Sequence, residues 1–158
     1  MKQIVKKILV AVSGSDSSIN ASKYAILFSK SLGVELVAVY VVDTQSLRDL
    51  IATKIFIEEE SNEYEKNMVA NGNRYLSYVE DLAKSKSLSV KKILKKGNIM
   101  ILETSIEEKV DLIILGGWEI NRSKRDLISK SHMDIMMDSK VPVLIAKEED
   151  IENMFKKF

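Results

Sequence analysis

Short apolar runs alternate along this chain with longer stretches whose apolar residues recur at helical spacing. Ile8-Leu9-Val10-Ala11-Val12 is too short for a helix and rich in β-branched residues, so it predicts a strand. Gly14 and a run of Ser and Asp break it, and Asp16 or Ser17 is placed to cap the helix that follows. Ala21, Tyr24, Ala25, Phe28 and Leu32 share one face of that helix, and Gly33 suits its C-terminal end. Val34 to Val42 is nearly continuous apolar sequence and predicts a second, buried strand. Asp43 to Ile57 mixes charge with scattered apolar residues and predicts an irregular stretch with a short helix.

Glu58 to Lys86 predicts a long helix striped by Tyr64, Met68, Tyr75, Leu76, Val79, Leu82 and Ala83. Gly72 inside it weakens the helix by about 1 kcal/mol. Leu88 to Lys96 predicts a third strand, and the density of Lys91, Lys92, Lys95 and Lys96 suits a sheet edge, where charge discourages strand addition. A helix over Ile99 to Lys109 precedes a fourth strand, Asp111 to Leu115, ended by Gly116-Gly117. A polar loop and a helix near Ser129 to Ser139 lead to a fifth strand, Pro142 to Ala146, whose leading proline is tolerated best at an edge. The order β-α-β-α-β-α-β-α-β implies an α/β fold: an open, doubly wound, five-stranded parallel sheet with helices on both faces. Ligands of such sheets bind beyond the carboxyl ends of the strands, at the switch in strand order. The candidate loops are therefore Ser13 to Ser18 and Gly116 to Ser131.

Composition narrows the chemistry. The 158 residues suit one domain, and 24 basic against 23 acidic residues leave a net charge of +1. That balance opposes a chain-wide basic field for nucleic acid or anionic membrane, and neither is expected as a partner. With no cysteine and one histidine, disulfides, thiol nucleophiles, Cys-type zinc sites, iron–sulfur clusters and His-rich metal sites are excluded. No apolar run reaches the roughly 18 residues of a membrane span. Met1 to Val10 lacks a small-residue cleavage site and reads as the lead into the first strand, which points to a cytoplasmic protein.

Ser13-Gly14-Ser15-Asp16-Ser17-Ser18 sets hydroxyls and backbone N–H groups at a helix N-terminus, physically an anion cradle. It is neither a Walker A loop nor a G-x-G-x-x-G motif, and the simpler reading is a turn and a cap. His132 is the only available base for Ser13 or Ser15, no G-x-S-x-G elbow exists, and His132 falls in phase with Ile128, Ile135 and Met136, so no catalytic residue is assigned. Arg122, Lys124, Arg125 and Lys130 read as a solvated loop rather than a phosphate site. Residues 148–158 form an amphipathic tail: Ile151, Met154, Phe155 and Phe158 make one stripe, with acids first and Lys156-Lys157 last, as the helix dipole favours.

Residues 1–147 resemble the universal stress protein family. The resemblance rests on Val12-Ser13-Gly14-Ser15, similar to the family's V-D-G-S-like turn, and on Val39-Tyr40-Val41-Val42-Asp43 at the second strand's end. It rests most on Val110-Asp111-Leu112-Ile113-Ile114-Leu115-Gly116, with Pro142-Val143-Leu144-Ile145 downstream. The fold this implies is the adenine nucleotide alpha-hydrolase-like, or flavodoxin-like, three-layer sandwich. Many members bind ATP through G-x2-G-x9-G-[ST]; here Gly116 fits, but Glu119, Ser129 and Lys130 occupy the later positions, with Ser131 next and Gly117 as a partial substitute. The aspartate that members place after the first strand is Ser13.

Glycines at such positions let backbone N–H groups approach phosphates, whereas Glu119 brings negative charge and bulk. The expectation is therefore a non-enzymatic stress-response module with a degenerate or empty nucleotide site and no cofactor. Its partners would be its own copy, through a last strand (Val143, Leu144, Ile145) whose apolar edge is weakly guarded, and other proteins. The alternative is an ATP- or AMP-binding sensor. In it, Val12, Ser13, Gly14, Ser15 and Val41 hold the base, and Leu115, Gly116, Gly117, Ser129, Lys130 and Ser131 lie near the phosphates.

Overall fold

The structure, a computed structural model, describes residues 3–54, 57–97, 100–117, 133–147 and 150–158. Five strands, β1 (Lys7–Val12), β2 (Glu35–Val42), β3 (Val90–Lys96), β4 (Leu112–Gly116) and β5 (Val143–Ala146), form one sheet in the order β3-β2-β1-β4-β5. Every neighbouring pair is parallel, as the alternating pattern implies. Helices α1 (Asp16–Leu32), α2 (Thr44–Ala52), α3 (Glu58–Lys84) and α4 (Met100–Glu107) connect the strands, residues 133–138 are helical (α5), and α6 (Ile151–Lys157) follows β5.

Strand side chains alternate between two cores. Ile8, Val10, Val12, Leu36, Ala38, Leu112 and Ile114 pack with Ala21, Ala25 and Ile26 of α1 and Leu76, Val79 and Ala83 of α3. Leu9, Val39, Ile113 and Leu115 face the other way, with Ile135 of α5 and Ile101 and Leu102 of α4. These two apolar layers make the three-layer sandwich. The tail joins the first layer: Ile151 and Phe155 are buried in it, and the largely buried Lys23 ammonium is ion-paired with Glu152. Burial and the nearby Lys156 ammonium hold Lys23 below the ordinary lysine value.

Both edges match the sequence pattern. β3 is one edge, and its lysines alternate between helices as the period of two requires. Lys92 and Lys96 reach Glu80 and Glu65 of α3, at 3.2 and 3.4 Å, while Lys95 reaches Glu107 of α4 at 3.0 Å. Lys91 meets Glu108, just past α4, at 2.7 Å, and Lys7 of β1 meets the same carboxylate at 3.1 Å. β5, led by Pro142, is the other edge.

Local boundaries refine the sequence reading. Ser15 caps α1, rather than Asp16 or Ser17: its backbone is extended (φ −82°, ψ 153°) and its hydroxyl accepts from the Ser18 N–H, while Asp16 is already helical. The short helix expected within Asp43 to Ile57 is α2, held by the buried Leu47. α3 stops at Lys84 because the chain turns back on itself: the Ser87 N–H donates to the Lys84 carbonyl and Ser87 adopts φ +57°. β4 includes Gly116, which pairs with Ala146. The expected start of the helix near Ser129 lies outside the described residues.

Candidate functional site

The chain runs from β1 outward to β2 and β3, then crosses back to β4 and β5. β1 and β4 are neighbours, in register Ile8 with Leu112, Leu9 with Ile113 and Val10 with Ile114, so the strand order switches between them. Beyond their carboxyl ends lie Ser13-Gly14-Ser15 on one side and Gly116-Gly117 on the other. α1's first turn rests directly on the end of β4: a Cβ on Gly116 would fall 2.7 Å from the Ser17 carbonyl oxygen. A Cβ on Gly117 would fall 3.0 Å from the Ala146 carbonyl oxygen. These two glycines thus permit close backbone packing among β4, β5 and α1.

The loop's serines are engaged with one another. The Ser13 and Ser15 hydroxyls share a hydrogen bond of 3.0 Å, and those of Ser15 and Ser17 share one of 3.2 Å. Ser13 N–H donates to Ser18 Oγ at 2.6 Å, and the Ser18 hydroxyl donates to the Ala11 carbonyl at 3.4 Å. Ser18 N–H donates to Ser15 Oγ at 3.2 Å. The result is a cross-linked turn at the positive end of a 17-residue helix, with the exposed Asp16 carboxylate in its first turn.

The expected site residues are not all on one surface. Ser13 and Gly14 are exposed and Ser15 half-buried, next to the switch point. Val12 belongs to the core under α1 and α3, whereas Val41 and Leu115 face the opposite layer. Gly116 is buried at the end of β4, and Gly117 is half-buried beyond it. Ser129, Lys130 and Ser131, along with Glu119 and His132, lie outside the described residues. Among the described residues no group of three His, Asp or Glu could hold a metal ion.

A tyrosine cluster beside the loop was not singled out from the sequence. Tyr75 of α3 and Tyr40 of β2 stack with centroids 6.4 Å apart and planes 15° apart. The Arg74 guanidinium lies 5.5 Å from the Tyr75 centroid. A Cβ on Gly14 would fall 2.8 Å from the Tyr75 hydroxyl oxygen, and one on Gly72 would fall 2.5 Å from Tyr40 Cδ1. Burial first, then the neighbouring Tyr75 and Tyr64 phenols, push the Tyr40 hydroxyl above its ordinary pKa. The available signal was Gly72 itself: a glycine inside a helix, three residues before a tyrosine, marks a place where something packs on the backbone.

Fold and site geometry define an open α/β protein whose strand order switches between its first and fourth strands. The universal stress protein family matches residues 5–147, and the chain belongs to that family. It is 30% identical over 149 residues to the universal stress protein YxiE of Bacillus subtilis, covering 89% of this chain and 98% of that protein. The solved structure of hypothetical protein MJ0577 superposes with a TM-score of 0.74 at 20% identity, covering 94% of this chain and 99% of that one. The universal stress protein of Archaeoglobus fulgidus in complex with dAMP superposes with a TM-score of 0.63 at 16% identity, covering 92% of this chain and all of that one. Helix α6 lies beyond the residues that the family matches. Among the described residues no helix is long and apolar enough to cross a membrane.

Proposed function

We propose that this protein is a non-enzymatic, cytoplasmic stress-response module that acts by association, as a homodimer through β5, with a degenerate nucleotide site. The observation that carries this reading is the β1 loop. Its serine hydroxyls are bonded to one another or to the backbone rather than presented to a reacting group. Glu119, at the second glycine position of the family's phosphate motif, supports the degenerate site. β5 supports the dimer: its Val143, Leu144 and Ile145 are half-buried at a sheet edge without the lysines that guard β3.

A second reading, a sensor of ATP or AMP, is favoured by one observation. The hydroxyl-rich loop and Gly116 adjoin at the switch in strand order, where ligands of this architecture sit. The dAMP-bound relative from Archaeoglobus fulgidus is consistent with it. Native mass spectrometry of the purified protein, followed by acid extraction and chromatography, separates the two. A dimer without ligand is the expected result. Adenine nucleotide released at near one per chain overturns the degenerate-site reading in favour of the sensor.

A further inference from the structure

We infer that Tyr75 of helix α3 is a positioning residue that couples the β1 loop to Tyr40 of β2. The contacts form an unbroken series. At Gly14 the loop backbone meets the ring edge of Tyr75: the position of a Cβ there is 2.8 Å from the hydroxyl oxygen, 3.0 Å from Cζ and 3.1 Å from Cε2. The same ring stacks on Tyr40. Tyr40 then lies against the backbone of Gly72, whose Cβ position is 2.5 Å from Cδ1 and 2.8 Å from Cε1 of the ring.

Gly72 and Tyr75 stand three residues apart on α3 and therefore share a face. Between them they form a slot for the Tyr40 ring, closed by Leu94, whose Cδ1 is 3.0 Å from the same Cβ position. The two glycines occur where the series touches backbone, and a side chain at either would displace a ring. Gly14 is exposed and both rings are half-buried, so a displacement passes by the direct contacts of backbone on ring and ring on ring. A shift of Gly14 is thus carried to Tyr75, and from Tyr75 to Tyr40 and the α3 backbone. If the β1 loop holds a nucleotide, which rests on the sensor reading above, α3 is the element that responds. The coupling itself does not depend on that reading.

The test follows the aromatic resonances of the full chain by NMR with labelled tyrosine, together with the backbone amides. Gly14→Ala, whose new methyl group pushes on Tyr75, is expected to shift the Tyr40 ring and the Gly72 amide. The same change made in a Tyr75→Phe background keeps that effect, because the Cζ and Cε2 contacts remain. Made in a Tyr75→Leu background, it loses the effect. If the shifts from Gly14→Ala stop at Tyr75, or persist at Tyr40 in Tyr75→Leu, the coupling is refuted. The first of these outcomes needs no Tyr75 variant, so it stands even if Tyr75→Leu does not fold. Titration with AMP separates the two ideas. Shifts at Ser13 to Ser18 that reach Tyr40 support both. Shifts confined to the loop keep the sensor and refute the coupling. Absence of any shift removes the sensor reading and leaves the coupling to be decided by Gly14→Ala.

Discussion

Gly116 shows how one missing side chain joins two elements. Its would-be Cβ lies 2.7 Å from a carbonyl oxygen and 2.8 Å from the carbonyl carbon of Ser17, backbone atoms that cannot swing aside as a side chain would. Gly116→Ala therefore has to push α1 away from β4. The expected cost is about 1–3 kcal/mol, the usual range for overpacking, measured by urea denaturation. A loss below this range would mean that the first turn of α1 is more compliant than its hydrogen bonds imply. Gly72 makes the same point inside a helix. The sequence predicts a weak spot of about 1 kcal/mol there, yet α3 runs through it for 27 residues. The weakness is retained because Tyr40 occupies the space a side chain would need.

At the scale of elements, β3 is held by charge on both faces. Glu108 joins two strands, meeting Lys91 of β3 and Lys7 of β1. The hydrogen bond from Lys91, then that from Lys7, holds its carboxyl below the ordinary value of 4.5. A group whose pKa is depressed on folding adds stability above its unfolded pKa and loses it as the pH falls through the folded value. Glu108→Gln is therefore expected to lower stability at neutral pH. Its difference from the native protein should be largest above pH 4.5 and close as the pH falls below that value. Thermal unfolding across a pH series checks this; a difference constant with pH would show that Glu108 acts by packing alone.

Across the whole molecule, the two sheet edges are built differently. β3 has four lysines in seven residues, each paired with a glutamate, and β5 has four apolar residues and a proline before it. Strand edges associate unless charge or a proline within the strand prevents it, and Pro142 precedes β5 instead of lying within it. The proposed dimer uses β5, and Val143→Lys places on that edge the device β3 already carries. The expected result is a shift from dimer to monomer by light scattering after gel filtration, with the far-ultraviolet circular dichroism unchanged. A dimer that survives the substitution would move the interface elsewhere.

The alternation of apolar runs and amphipathic stripes was enough to determine strand number, parallel pairing and the two edges. Each depends on local periodicity, on the lysines of β3 and on Pro142, all of which act over a few residues. The resemblance to universal stress proteins was likewise carried by contiguous runs such as Val110 to Gly116. The candidate loop was legible as a serine-rich turn, but its cap was not: the sequence offers Asp16 or Ser17, and the extended backbone at Ser15 gives that place to Ser15. What only the tertiary structure decided is which residues meet across long separations. Gly14 and Tyr75 meet on the loop side of α3, Gly116 and Ser17 at the switch point, and Lys23 and Glu152 where the tail returns to α1. Such contacts are set by how rigid layers stack, a three-dimensional constraint that no period along the chain encodes.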